Sequence, residues 1–290
     1  MTTVLTREAL DAAPFSRAVL DAFFHEILID DEVDETTELP ERITLDYDRS
    51  ILIDAYRLSR QLWTETDHRQ MLIELVDRLR RTGDLNIEDR LRFKYARAKL
   101  KQLRFACALL GADHAYPTIM DHFTVALGQL QDAYRVGAHG RVARRALLCR
   151  SLLTAVPHAM FRREHDHFRP TTGDGFRAYL SSEIRVVQNM LIAPTLTGAD
   201  FHALRKIFSR LVAFYNAVLA LNPSPEAYRM SRFLAAINGL MGAEHDRLVE
   251  RKIAGQQDYH RDAVELSPDL RCRIDRLAER FVQTDRLSRG

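Results

Sequence analysis

Apolar residues along this 290-residue chain recur every three or four positions, the spacing that gathers side chains on one face of a helix. Ile51, Leu52, Ala55, Leu58 and Leu62 follow it, and so do Leu72, Leu75, Val76 and Leu79. Phe93, Ala96, Leu100, Leu103, Cys107 and Leu110 form a third stripe, and Leu204, Phe208, Leu211, Tyr215 and Val218 a fourth. No segment shows a sustained period of two with β-branched enrichment, the mark of a half-buried strand. The fold class this predicts is all-α. Helix breaks are expected at Gly83-Asp84, Gly111-Ala112-Asp113, Gly137 to Gly140 and Asn222-Pro223-Ser224-Pro225. Gly198-Ala199-Asp200 reads as a break leading into an N-cap, and Ser267-Pro268 as an N-cap followed by proline at the first helical position.

The longest irregular stretch, Pro170 to Gly175, separates two similar patterns. Phe93-Lys94-x-x-Arg97 opens a long helix in the first half, and Phe201-His202-x-x-Arg205 does the same 108 residues later. Downstream of each comes an apolar-Gly-x-x-x-Asp segment, Leu127 to Asp132 and Met241 to Asp246. This order predicts two antiparallel helical-bundle units related by a pseudo-twofold duplication. The expected division is an acidic N-terminal helical segment at 1–45, a first bundle unit at 46–172 and a second at 173–290.

Charge sharpens the picture. Between Asp89 and Asp113 the chain has seven cations and no carboxylate, and Arg90, Lys94, Arg97, Lys101 and Arg104 fall on one helical stripe. Like charges four apart weaken a helix, so the stripe needs either acidic groups from elsewhere in the fold or an external polyanion. Residues 1–89 hold 10 Lys or Arg against 21 Asp or Glu, and residues 90–290 hold 32 against 19. That polarity points to polyanion binding, to docking of the acidic half on the basic half, or to both.

From Phe201 to Leu211 the chain reads Phe-His-Ala-Leu-Arg-Lys-Ile-Phe-Ser-Arg-Leu. With Met241 to Asp246, this resembles the histidine-leucine-arginine helix and the following glycine segment of the CHAD proteins (conserved histidine α-helical domain). The likeness spans residues 90–260 when both units are counted. The family is built from two helical bundles about a pseudo-twofold axis, and its basic central surface binds inorganic polyphosphate and similar anions. The resemblance implies that role for His202, Arg205, Lys206 and Arg210 in the second unit, and for Lys94, Arg97, Lys101 and Arg104 in the first. Two features depart from the family pattern. Lys94 stands where the second unit has His202, and Ser209 and Val212 stand where further basic residues are expected. Residues 1–89 contain no counterpart of the triphosphate-tunnel domain that often accompanies the family.

The chemistry of the residues agrees with such a role. His202, Lys206 and Arg210 are four apart and stack on one helix face. Arginine engages phosphate oxygens through its planar fork, and a histidine beside an anion tends to stay protonated. The function expected is non-catalytic binding of polyphosphate or a similar linear polyanion. The alternative is a helical adaptor whose basic stripes pair with acidic protein surfaces, its own or a partner's. Nucleic acid is a weaker candidate, because the aromatic-basic interleaving of single-strand readers is missing.

Other patterns lead elsewhere and less far. Asp30, Asp31 and Asp34 have the spacing of a magnesium-diphosphate motif, but they run on into a loop-like Glu35 to Pro40 with no second metal motif. His158, His165 and His167 lack the partners of a zinc set. No phosphate loop, nucleophile elbow or HExxH motif is present, so neither catalysis nor a cofactor is expected. Arg141, Arg144, Arg145 and Arg150 form a second basic cluster read as plain surface. Cys107, Cys149 and Cys272 fit no disulfide framework. Residues 1–10 lack a basic start followed by an apolar run, and no stretch is long enough to span a membrane. A cytoplasmic protein with no membrane partner is the expectation.

Overall fold

A computed structural model describes residues 4–193, 195–253 and 255–287. The described residues form twelve helices and no strand, with only isolated bridges such as Leu5 with Phe168 and Leu196 with Val264. The chain divides into two compact units, Met1–Leu20 with Leu52–Thr171 and Asp21–Ile51 with Thr172–Gly290.

In the first unit α4 (His68–Thr82), α5 (Ile87–Leu110), α6 (Thr118–Arg135) and α7 (His139–Leu152) form a ring. Each packs on the next, and α7 returns to α4, while α8 (Ala155–Asp166) lies on α6 and α7. The predicted stripes are the core. Leu72, Leu75, Val76 and Leu79 of α4 are buried, as are Phe93, Ala96, Leu100 and Leu103 of α5. Gly83 ends α4 in the left-handed region, a conformation open to glycine at little cost. α3 (Arg49–Thr64) buries Leu52, Ala55, Tyr56, Leu58 and Leu62. Its Arg60, 3% exposed, donates to Asp11 of α1 (Arg7–Asp11) at 2.5 Å and to Asp166 at 2.6 Å. Arg60 Nε also donates to the His165 carbonyl at 3.1 Å, and the Tyr56 hydroxyl donates to the same oxygen at 2.9 Å. A buried guanidinium satisfied this fully is stable only while all of its partners remain.

The second unit is also a ring of four. α9 (Gly173–Ile192) packs on α10 (Gly198–Leu221), α10 on α11 (Pro225–Ile253), α11 on α12 (Pro268–Leu287), and α12 closes on α9. Thr197, not a residue after Gly198, is the N-cap of α10. Its hydroxyl accepts from the Asp200 amide while the Asp200 carboxylate accepts from the Thr197 amide, a reciprocal capping box that brings Gly198 inside the helix. Pro268 does begin α12, and the Leu270 amide donates to the Ser267 hydroxyl.

The acidic N-terminal segment is helical only in part. After α2 (Arg17–Leu28) the chain runs without helix or strand to residue 48. Residues 21–51 count with the second unit. Leu39, Ile43, Leu45 and Tyr47 are buried, and Tyr47 meets Phe176 and Phe214 edge-on. An extended chain with no sheet neighbour, like the last turn of the helix before it, must find donors for its carbonyls elsewhere, and side chains of the second unit supply them. Asn216 Nδ2 donates to the Glu26 carbonyl at 3.0 Å, Asn238 Nδ2 to Asp30 at 2.9 Å, and Arg273 to Glu35 at 3.2 Å. Arg280 donates to the carbonyls of Pro40 and Glu41, and Arg232 to that of Ile29. Arg232 also pairs with Glu26, and Arg177 with Asp46. The acidic half therefore does dock on cations of its own chain, and these four arginines are not the ones the repeat pattern singled out.

Candidate functional site

The acid-free run on α5 finds carboxylate partners within the fold for at least four of its seven cations. Arg90 makes two bonds to Asp84, at 2.7 and 2.5 Å, and Arg92 reaches Asp89 at 3.1 Å. Lys99 pairs with Glu65 at 3.1 Å. Arg104 pairs with Asp121 at 2.6 Å and lies 3.8 Å over the Tyr116 ring. Of the four candidate ligands on this helix, Arg104 is thus committed to a carboxylate. Lys101 lies 5.4 Å over the Phe105 ring. Lys94 is exposed, and no carboxylate among the described residues pairs with it.

Arg97 is placed differently. Its guanidinium lies against Gly128 of α6, where an added Cβ would sit 3.1 Å from Nη2. Its Nε is buried. Glycine at that position lets a flat guanidinium rest directly on the neighbouring helix.

In the second unit Arg205 of α10 lies against Gly242 of α11, with Nη2 3.3 Å from where a Cβ would be. Its Nε is also buried and has no hydrogen-bond partner. Tyr259 stands over Gly198, its ring 2.7 Å from an added Cβ there, and Lys252 lies 4.7 Å over the same ring. His202, one turn before Lys206, is half-buried, its ring 5.1 Å from that of His245. His202 Nδ1 has no hydrogen-bond partner. Burial first, then the charges of Lys206, His245 and Arg205, push its pKa down to about 4. Among the protein's own groups His202 is therefore neutral near pH 7, and the protonated form read from the sequence belongs to a histidine with an anion beside it. Lys206 is exposed and pairs with no carboxylate among the described residues.

Arg210 points away from this role: it is buried and paired with Glu183 of α9. The two positions where the resemblance expects further basic residues lie in the core. Ser209 is buried and donates to Asn238 at 2.8 Å, and Val212 is fully buried. A cation at either would be stranded in an apolar interior.

The structure therefore lays Arg97 on Gly128 and Arg205 on Gly242, with Lys94 and Lys101 on the same helix as Arg97, and His202 and Lys206 on the same helix as Arg205. Sequence reasoning quoted His245 and both glycines only as parts of a repeated pattern. It missed that the glycines are the floor on which the arginines lie. Tyr259 was missed altogether, for it comes from an irregular segment with no periodicity.

The remaining candidates are held by local bonds. Asp34 accepts from the Thr36 amide at 2.8 Å and hydroxyl at 2.6 Å, and these bonds lower its pKa. His165 is buried beside Asp166, and His167 faces the Arg163 carbonyl. Among the described residues no group of three or more His, Cys, Asp or Glu is placed to hold a metal ion.

Fold and site together define an all-helical protein carrying, in each of two compact units, an arginine laid on a glycine beside an exposed lysine. No protein-family description, curated protein or solved structure matches the chain.

Proposed function

We propose that this chain is a non-catalytic binding module for inorganic polyphosphate or a similar linear polyanion, built as a duplicated, CHAD-like pair of helical units and working in the cytoplasm. The observation that carries the reading is the recurrence in both units of an arginine laid on a glycine. Arg97 lies on Gly128 and Arg205 on Gly242, each with an exposed lysine nearby in sequence, Lys94 three residues before the one and Lys206 one residue after the other. A guanidinium resting on a helix has lost much of its rotamer freedom already, so less is lost when it bonds a phosphate. Lys94 and Lys206, which pair with no carboxylate among the described residues, add attraction that is not spent on an ion pair there. The binding groups proposed are Lys94, Arg97 and Lys101 in one unit and His202, Arg205 and Lys206 in the other. Arg104 and Arg210 act instead as structural cations through Asp121 and Glu183.

One observation favours a helical adaptor, the docking of the acidic 26–46 segment on arginines of its own unit. Arg177, Arg232, Arg273 and Arg280 do that work, and none of them is among the proposed ligands. Titration of the full chain with polyphosphate, duplex DNA and heparin at two salt concentrations tests the proposal. Polyphosphate is expected to bind most tightly, with affinity falling steeply as salt rises. Tight, salt-insensitive capture of an acidic protein with no polyphosphate binding would favour the adaptor.

A further inference from the structure

A second acid-free segment is longer than the first. Residues 133–163 contain seven arginines and no Asp or Glu. Arg150 reaches Asp77 at 3.6 Å. Arg135, Arg141, Arg144, Arg145, Arg162 and Arg163 are exposed, and none forms an ion pair among the described residues. The apolar residues interleaved with them are exposed as well: Leu147 by 54%, Leu148 by 42%, Val156 by 70% and Met160 by 50%.

The helical phase shows that these are not stray core positions. α7 buries Val142, Ala146 and Cys149, and Arg144, Leu147 and Leu148 occupy the opposite side of that helix. α8 buries Phe161 and His165, and Val156, Met160 and Arg163 occupy its opposite side. A surface helix ordinarily carries its charges there and its aliphatic residues inside. Here arginine and aliphatic side chains share the outer face of two consecutive helices that pack on each other.

We infer that the outer faces of α7 and α8 bind the surface of an anionic phospholipid bilayer, with arginines on the headgroup phosphates and Leu147, Leu148, Val156 and Met160 entering the acyl boundary. Charge complementarity selects an anionic partner, and the aliphatic residues require one with an apolar layer beneath its charge. A free phosphate chain lacks that layer. Protein interfaces centre on aromatic anchors fitted to pockets, whereas these faces are the convex sides of helices bearing aliphatic residues. That no helix among the described residues is long and apolar enough to cross a membrane does not bear on a peripheral contact of this kind.

Co-sedimentation of the full chain with phosphatidylcholine vesicles, with and without phosphatidylserine, tests the inference. Binding to the phosphatidylserine vesicles alone is expected. Arg144→Ala with Arg145→Ala lowers the partition coefficient about thirtyfold. Leu147→Ser with Leu148→Ser, or Val156→Ser with Met160→Ser, lowers it about tenfold or more. All these positions are exposed, so circular dichroism should show unchanged helicity. Arg97→Ala with Arg205→Ala should leave vesicle binding intact, which separates this surface from the proposed polyphosphate sites. Three results overturn the inference: no preference for phosphatidylserine, unchanged binding in both serine variants, or loss of binding in the Arg97/Arg205 variant. Retention on immobilised polyglutamate without vesicle binding would assign the face to an acidic protein instead.

Discussion

Two glycines three residues apart on α11 should respond to alanine with opposite signs. In a helix interior, glycine to alanine ordinarily stabilises by about 1 kcal/mol, because alanine loses less backbone freedom on folding. At Gly242 an added Cβ meets only the end of the Arg205 side chain, at 3.3 Å, which can shift by a few tenths of an ångström. Gly242→Ala should therefore keep most of that gain. At Gly239 the Cβ falls 2.1 Å from the Asp31 carbonyl oxygen and 2.8 Å from Val33 Cγ2. That oxygen belongs to the extended segment, whose backbone must move away. Overpacking of this kind costs about 1–3 kcal/mol. Displacing the segment also strains the adjoining Asn238 to Asp30 bond, at about 1 kcal/mol. Set against the helix gain, Gly239→Ala should destabilise by about 1–3 kcal/mol. Urea unfolding of both variants, followed by circular dichroism, measures the difference directly. If Gly239→Ala is as stable as Gly242→Ala, the acidic segment does not run where the structure puts it.

Arg60→Met removes a buried guanidinium from Asp11, Asp166 and the His165 carbonyl, and should destabilise the protein by about 3–5 kcal/mol, read from the same urea midpoints. His68 and His202 both have folded pKa values pushed down to about 4 from 6.5, in each case mainly by burial. Below pH 6.5 the unfolded chain takes up protons that the folded chain refuses, so stability should fall between pH 6.5 and 4 and change no further through these groups below that. His68→Phe should flatten that loss, and a stability profile rising over the same interval on acidification would contradict the assignment. An anion beside His202 favours its protonated form, so polyphosphate affinity should increase as pH drops from 7 to 5, and His202→Gln should abolish the increase in a titration series.

The helices were legible because their apolar stripes are regular. Leu72 to Leu79 and Phe93 to Leu110 are buried as their spacing requires. The acid-free run on α5 was equally plain, yet its partners were not. Asp84 and Asp89 lie within a few residues of the stripe, whereas Glu65 and Asp121 come from other parts of the chain and meet it only in three dimensions. Arg210 illustrates the same limit. Its spacing from Lys206 places it on the charged face, but that face turns inward toward Glu183 on α9 as α10 enters the core. The extended stretch had left a trace in the alternation of Ile43, Leu45 and Tyr47, too short beside its proline and acidic neighbours to read as a strand. Nothing local in the sequence says that side chains of α11 and α12 would bond its carbonyls. That dependence also means that deleting residues 1–45 would remove buried Leu39, Ile43 and Leu45, so point substitutions are the cleaner way to separate anion binding from folding.

The most direct test is calorimetric titration of long-chain polyphosphate into the full chain and into an Arg97→Ala, Arg205→Ala variant at several salt concentrations. Loss of two phosphate-facing cations predicts weaker binding, and a log–log salt dependence shallower by about 2, with helicity unchanged. Identical affinity and identical salt dependence in the two proteins would show that the arginines lying on Gly128 and Gly242 do not bind the anion.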